Sequence, residues 1–159
     1  KYIGIFVAGC VMAALLIFVH GGRYSGTGEN IISAIFIDGK FYMYDFVLKA
    51  VFTIICIAVG FTGGEMTPLI TIGAAAGAVL SQITGLPLGL AAAAGAVAVY
   101  GAATNTLLAP ILIGIELFGG DIAVYIALAC VTAFAVNGNK SVYASQRRVI
   151  RSLYSVLKK

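Results

Sequence analysis

Gly63-Gly64-Glu65-Met66-Thr67-Pro68 separates two apolar runs, 51–59 and 69–80. Proline suits the first turn of a helix, because its missing N–H has no intrahelical partner to lose there. Gly63 and Gly64 let the backbone bend sharply just before it. A helix is therefore expected to begin at this break, inside a sequence hydrophobic enough for a bilayer. Its first N–H groups face outward and carry roughly half a positive charge, which suits an anion. Glu65 adds a titratable group and Thr67 a hydroxyl. Locally the pattern fits two readings. One is a broken helix aimed at mid-membrane, as carriers use to hold anions. The other is a Gly-rich loop with a surface glutamate.

The rest of the chain decides for a membrane. Of 159 residues, 61% are hydrophobic and only 10% are charged, against about 25% charged in soluble domains. Mean hydropathy is +1.05. The fold class is thus all-α and polytopic. The net charge of +4 is no nucleic-acid signal, because the basic residues gather at helix ends and in the tail, where they orient a membrane chain. Cys10, Cys56 and Cys130 lie far apart in apolar runs. They lack metal-ligand spacing and read as small buried hydrophobes. The chain starts at Lys1 with no visible signal peptide, so it reads as a piece of something longer.

In chain order, 2–19 is an apolar run long enough to cross the ~30 Å hydrocarbon core. A polar, Gly-rich break at 20–28 follows, then a short helix over 29–37 with an acidic first turn, too short to span. After a turn at 38–40, the second long run is 42–59. Asp45 and Lys49 stand one helical turn apart there and are expected to pair, with Lys49 snorkelling toward the interface. Gly73 and Gly77, one turn apart, predict a tight crossing with the Ala- and Gly-rich stretch 88–100. A second polar interruption spans 101–106. The run 107–118 is apolar except for Glu116, read as a buried carboxylate bonded to neighbouring backbone or hydroxyls. A turn at 119–121 leads into the last full run, 122–136. After a break at 137–140, 141–157 is expected to be helical, with Arg147, Arg148, Arg151, Lys158 and Lys159 crowding its far half and placing the C-terminus in the cytoplasm. His20 and Glu29 are expected at helix ends near water. Glycine breaks between short apolar segments point to a channel or transporter, since irregular backbone at membrane depth survives only when buried in protein or lining a cavity.

Three stretches in order carry a family likeness. They are Gly63 to Pro68, then Thr104-Asn105-Thr106 followed by Gly114-Ile115-Glu116-Leu117-Phe118, then Asn139-Lys140-Ser141-Val142-Tyr143-Ala144-Ser145. Together they resemble the CLC family of chloride channels and proton-coupled anion antiporters. The resemblance runs over nearly the whole chain and covers the C-terminal half of that fold, with its broken and re-entrant helices. The whole of 1–159 then reads as one unit, the C-terminal half of the membrane domain, with 141–159 its last helix and basic tail. Gly63 to Pro68 takes the place of the family's Gly-x-Phe-x-Pro motif, and Tyr143 that of the tyrosine whose hydroxyl points at the central anion site. Typical members carry an apolar residue at the position of Glu65 and Phe at that of Met66. Glu-x-Thr-Pro is instead similar to the fluoride/proton antiporter branch, whose matching glutamate is implicated in proton transfer and whose matching threonine helps hold fluoride. Leu107 departs from the proline of many relatives, and the gating glutamate belongs to the N-terminal half of the fold.

The resemblance implies anion-binding residues Glu65, Met66, Thr67 and Tyr143, with Glu65 also coupling protons. Chemistry agrees. Fluoride is small and strongly hydrated, so hydroxyls and amides must replace its water shell, and an intramembrane carboxylate is a functional candidate by default. The expected function is fluoride export against proton entry. A chloride-selective antiporter or channel is the alternative in the same class, and a non-transporting membrane subunit the alternative in another. Expected partners are fluoride or chloride, protons, the lipid of the cell membrane, the N-terminal half of the transporter and a second copy in a homodimer. Neither an enzymatic activity, a cofactor, a metal nor a nucleic-acid partner is expected.

Overall fold

A run that is apolar all round must form a helix in a bilayer, because only a helix satisfies every backbone group within one segment. The computed structural model describes residues 2–61, 63–143 and 146, and every regular element among them is helical. Seven α-helices follow in order: α1 (Tyr2–Phe18), α2 (Glu29–Phe36), α3 (Asp45–Val59), α4 (Met66–Thr84), α5 (Leu88–Thr104), α6 (Leu108–Phe118) and α7 (Ala123–Val136). Single turns of 3-10 helix stand at His20–Gly22 and Gly120–Ile122.

Helix α4 is the centre. Among the described residues it is the one helix both long and apolar enough to cross a membrane. Helix α1 has 17 residues, so the run 2–19 makes a shorter helix than expected. The small-residue crossing forms as the sequence predicts. A Cβ on Gly73 would run into the Gly95 carbonyl and stand 2.8 Å from Ala96 Cα, and one on Gly77 would strike the Ala91 carbonyl. Helices α4 and α5 therefore touch backbone to backbone. One core cluster, with Tyr24, Ile31, Ile35, Phe52, Ile70, Ala74 and Ala78, joins α1 to α5. A second, Val97, Ile126 and Cys130, lies between α5 and α7.

Several expectations need correction. Helix α3 begins at Asp45 rather than 42, because Tyr42 and Tyr44 stack on each other at 5.3 Å and on the His20 ring. Helix α5 runs through Gly101 to Thr104. Gly101 serves as a contact point, where a Cβ would stand 3.0 Å from a Pro110 ring carbon. The true break is Asn105, in the left-handed region at φ 55°. Cys10 is exposed, so only Cys130 is a fully buried small hydrophobe. Glu116 is exposed on α6 rather than buried. His20 and Glu29 lie exposed at helix ends as expected, the His20 ring 3.0 Å from the Tyr44 hydroxyl. Of the helix expected over 141–157, the described residues 141–143 and 146 are not helical, the first of them being held as an irregular segment by bonds to the Ala103 carbonyl, and the rest lies outside the described residues.

Asp45 and Lys49 do not pair. Asp45, at 0% exposure, takes Arg23 Nη2 at 2.8 Å, the Tyr24 hydroxyl at 2.6 Å and the Tyr42 N–H at 2.9 Å. Lys49, at 3% exposure, donates to the carbonyls of Tyr24 (3.0 Å) and Gly26 (2.8 Å). The reason is the 20–28 break, which folds back over the first turns of α3 and offers both groups better partners than each other. Burial and the bond to Asp45 hold the Tyr24 phenol well above its ordinary pKa, so it remains a donor.

Candidate functional site

The site is the N-terminal end of α4, and three irregular stretches build it. Helix α3 stops at Gly60, whose φ of 100° closes the helix with Phe61 N–H on the Cys56 carbonyl. The chain then turns through Gly63 and Gly64. Glu65 is the N-cap of α4, so Met66, Thr67 and Pro68 form its first turn. Pro68 has no N–H to leave unpaired, and Leu69 N–H closes on the Glu65 carbonyl at 3.2 Å. The N–H groups of Met66 and Thr67 are left at the positive end of the helix.

The 20–28 break braces this turn from one side. Gly28, at φ 100°, lies so close to Thr71 that a Cβ would stand 2.6 Å from its hydroxyl oxygen. Thr71 Oγ1 donates to the Thr27 carbonyl (3.3 Å) and to the Thr67 carbonyl (3.0 Å), tying the break to the first turn of α4.

The 137–143 segment braces it from the other side. Asn105 Nδ2 donates to Asn139 Oδ1 at 2.9 Å and to the Gln146 carbonyl at 3.3 Å. Val142 N–H and the Ser141 hydroxyl both donate to the Ala103 carbonyl, at 2.8 and 3.3 Å. The C-terminal end of α5 thus holds this segment in place. The result is that the Tyr143 hydroxyl lies against the Glu65 carboxylate.

Of the residues singled out in the sequence, Glu65 and Tyr143 meet here from opposite ends of the fold. Met66 and Thr67 stand beside them in the first turn. Glu65 Oε2 is buried with no hydrogen-bond partner among the described groups, which is uncommon for a polar atom out of water. Sequence reading missed the scaffold: Arg23, Tyr24, Thr71 and Asn105. A signal existed for Arg23, a cation in a Gly-rich break with an acid at the next long helix's start. None existed for Asn105 meeting Asn139.

Broken helices, a largely apolar exterior and irregular backbone packed against a helix N-terminus define a polytopic helical membrane protein. The chain belongs to the voltage gated chloride channel family, whose model matches residues 1–138. A chloride/fluoride channel protein of Pseudomonas syringae pv. tomato is 44% identical over 104 residues, covering 65% of this chain and 23% of that protein. The crystal structure of a CLC-type fluoride/proton antiporter matches with a TM-score of 0.83 and 42% identity, covering 90% of this chain and 36% of that one. The chain therefore has the CLC transporter fold and spans about a quarter to a third of the length of these relatives.

Proposed function

We propose that this chain is the C-terminal half of a proton-coupled anion antiporter that exchanges fluoride for protons. The observation that carries the reading is Glu65, a carboxylate at the N-cap of α4 with a buried, unpartnered oxygen and the Tyr143 hydroxyl against it. Similarity to proteins described as a chloride/fluoride channel and a fluoride/proton antiporter supports it.

In this reading the anion sits at the helix end. The N–H groups of Met66 and Thr67 and the hydroxyls of Thr67 and Tyr143 replace its water shell, as charge-assisted donors do well. Glu65 takes up and releases the proton. A bound anion and a bound proton favour each other at this spacing, because their charges are opposite, and the coupling is reciprocal. Fluoride leaves as protons enter, and no covalent step is involved, so the protein is no enzyme and needs no cofactor. The complete protein carries the N-terminal half of the fold, lies in the cell membrane as a homodimer, and has its basic C-terminus in the cytoplasm.

The test is Glu65→Gln in the complete protein, reconstituted in liposomes. The variant keeps the shape and removes the titration. It is expected to fold and bind fluoride but to lose fluoride-driven proton movement. Proton uptake at the wild-type level makes Glu65 structural and overturns the assignment. Flux of chloride equal to that of fluoride in the unmodified protein overturns the fluoride selectivity.

A further inference from the structure

The last carbonyls of a helix have no partner inside it. At the end of α5 the Ala102 carbonyl accepts Asn105 N–H at 3.3 Å and the Gly101 carbonyl accepts Thr106 N–H at 3.1 Å. The Ala103 carbonyl is closed from far along the chain, by Val142 N–H and the Ser141 hydroxyl. The Ser141 oxygen in turn accepts Tyr143 N–H at 3.1 Å. Asn105 reaches the same segment at two further points. Its side-chain nitrogen carries two hydrogens, and its acceptors are Asn139 Oδ1 at 2.9 Å and the Gln146 carbonyl at 3.3 Å. Tyr143 lies between those two points in the chain, and Gln146 N–H closes back on the Tyr143 carbonyl at 3.0 Å. One buried amide nitrogen thus holds both flanks of the residue whose hydroxyl lies against Glu65.

We propose that Asn105 is a positioning residue for Tyr143 and, through that phenol, sets how strongly the site prefers fluoride to chloride. A hydrogen bond weakens steeply as its distance and angle depart from the optimum. A small anion needs each donor close and fixed, whereas a larger one tolerates a donor that wanders. Asparagine meets both demands of the position. It tolerates the left-handed backbone better than most residues, and it brings two N–H donors on a short stem. Aspartate has the same shape but, ionised, only accepts, so it would turn an oxygen toward two acceptor oxygens. Glycine keeps the backbone conformation without strain and removes both bonds. Asn139 is also left-handed, at φ 73°, so Asn139→Gly removes one acceptor without forcing the chain.

The inference rests on the reading of Tyr143 as an anion donor. Its test is calorimetry with sodium fluoride and sodium chloride on the complete purified transporter, for Asn105→Gly and Asn105→Asp, each alone and combined with Tyr143→Phe. Either Asn105 variant alone is expected to weaken fluoride binding about tenfold, the scale of one lost bond to a charged group, and chloride binding by less. On top of Tyr143→Phe, the same substitutions are expected to cost less than about twofold more, because residues acting through one group are not additive. Full additivity overturns the inference, since general loosening of the fold would add to the lost hydroxyl. Equal losses for both anions overturn it too, as does fluoride affinity unmoved in a folded Asn105→Gly. Should the Asn105 variants fail to fold, Asn139→Gly loosens one flank and is expected to show the same fluoride-selective, Tyr143-dependent loss, and its absence overturns the inference. If Tyr143→Phe alone leaves fluoride binding intact, the reading of Tyr143 as a donor fails. If Tyr143→Phe weakens it and Asn105→Gly does not, only the present inference fails.

Discussion

Tyr143 is 39% exposed, yet its hydroxyl reaches the Glu65 carboxylate. That position explains why one phenol can matter to an anion at the α4 N-terminus. The Thr67 hydroxyl makes no hydrogen bond to a described group, and its carbonyl is occupied by Thr71, so its donor is free for a ligand. Removing a donor to a charged group costs about 1.5–3 kcal/mol, roughly tenfold to a hundredfold in affinity. Thr67→Val and Tyr143→Phe in the complete protein are therefore expected to weaken fluoride binding by that factor and chloride binding by less. Chloride is larger and more weakly hydrated, so it depends less on each donor. Equal losses for both anions, measured by calorimetry, count against the assignment. At this scale the sequence was legible for the start of α4 and poor for what scaffolds it. Glu65, Met66, Thr67 and Tyr143 stand in recognisable short patterns. Asp45 and Lys49 looked like a pair because helical spacing is the only proximity a sequence displays. Their actual partners, Arg23 and two carbonyls, come from a segment more than twenty residues away.

At the scale of elements, the crossing of α4 and α5 fixes where the α4 N-terminus lies. Gly73 and Gly77 on α4 pack against Gly95, Ala91 and Ala92 on α5 with no room for a side chain. The atoms a new Cβ meets are backbone, which cannot swing aside as a side chain does. Gly77→Val is expected to force the helices apart and to destabilise the protein by about 1–3 kcal/mol, read as a lowered melting temperature in detergent. Gly89→Ala is the control, because a Cβ there meets nothing within 4 Å. A melting temperature unchanged by Gly77→Val defeats the account of the crossing. This contact was visible in the sequence, because two small residues one turn apart face a run of small residues. The end of α5 was not. Glycine at 101 reads as a helix breaker, but here the lost side chain makes room for the Pro110 ring. Asn105 instead adopts the left-handed conformation that asparagine tolerates better than most residues, and its side chain is repaid by Asn139.

At the scale of the whole molecule, two kinds of surface remain. The site surface is assembled from irregular stretches at 20–28, 60–61, 63–65 and 137–143, which no local pattern groups together. Their convergence on α4 follows from Thr71, Lys49 and Asn105, each bonding to backbone or side chains far along the chain. The other surface is apolar and unsatisfied. Leu108 and Leu112 on α6, one turn apart, are 73% and 66% exposed, and Val124 and Leu128 on α7 repeat the spacing at 77% and 64%. Lipid can cover such residues, but Glu116 is exposed on α6 as well, and a carboxylate facing lipid tails is expensive. A second copy of the same face, bringing hydroxyls or backbone groups to Glu116, removes that cost. The complete protein is accordingly expected to be a homodimer in which α6 and α7 contribute to the contact. Leu112→Glu places a second carboxylate one helical turn from Glu116 on that face and is expected to shift the assembly toward monomers while leaving the α4 site untouched. Native mass measurement in detergent and single-molecule counting in lipid both read the state. A monomer in both for the unmodified protein defeats the prediction, and a dimer unaffected by Leu112→Glu moves the interface away from α6.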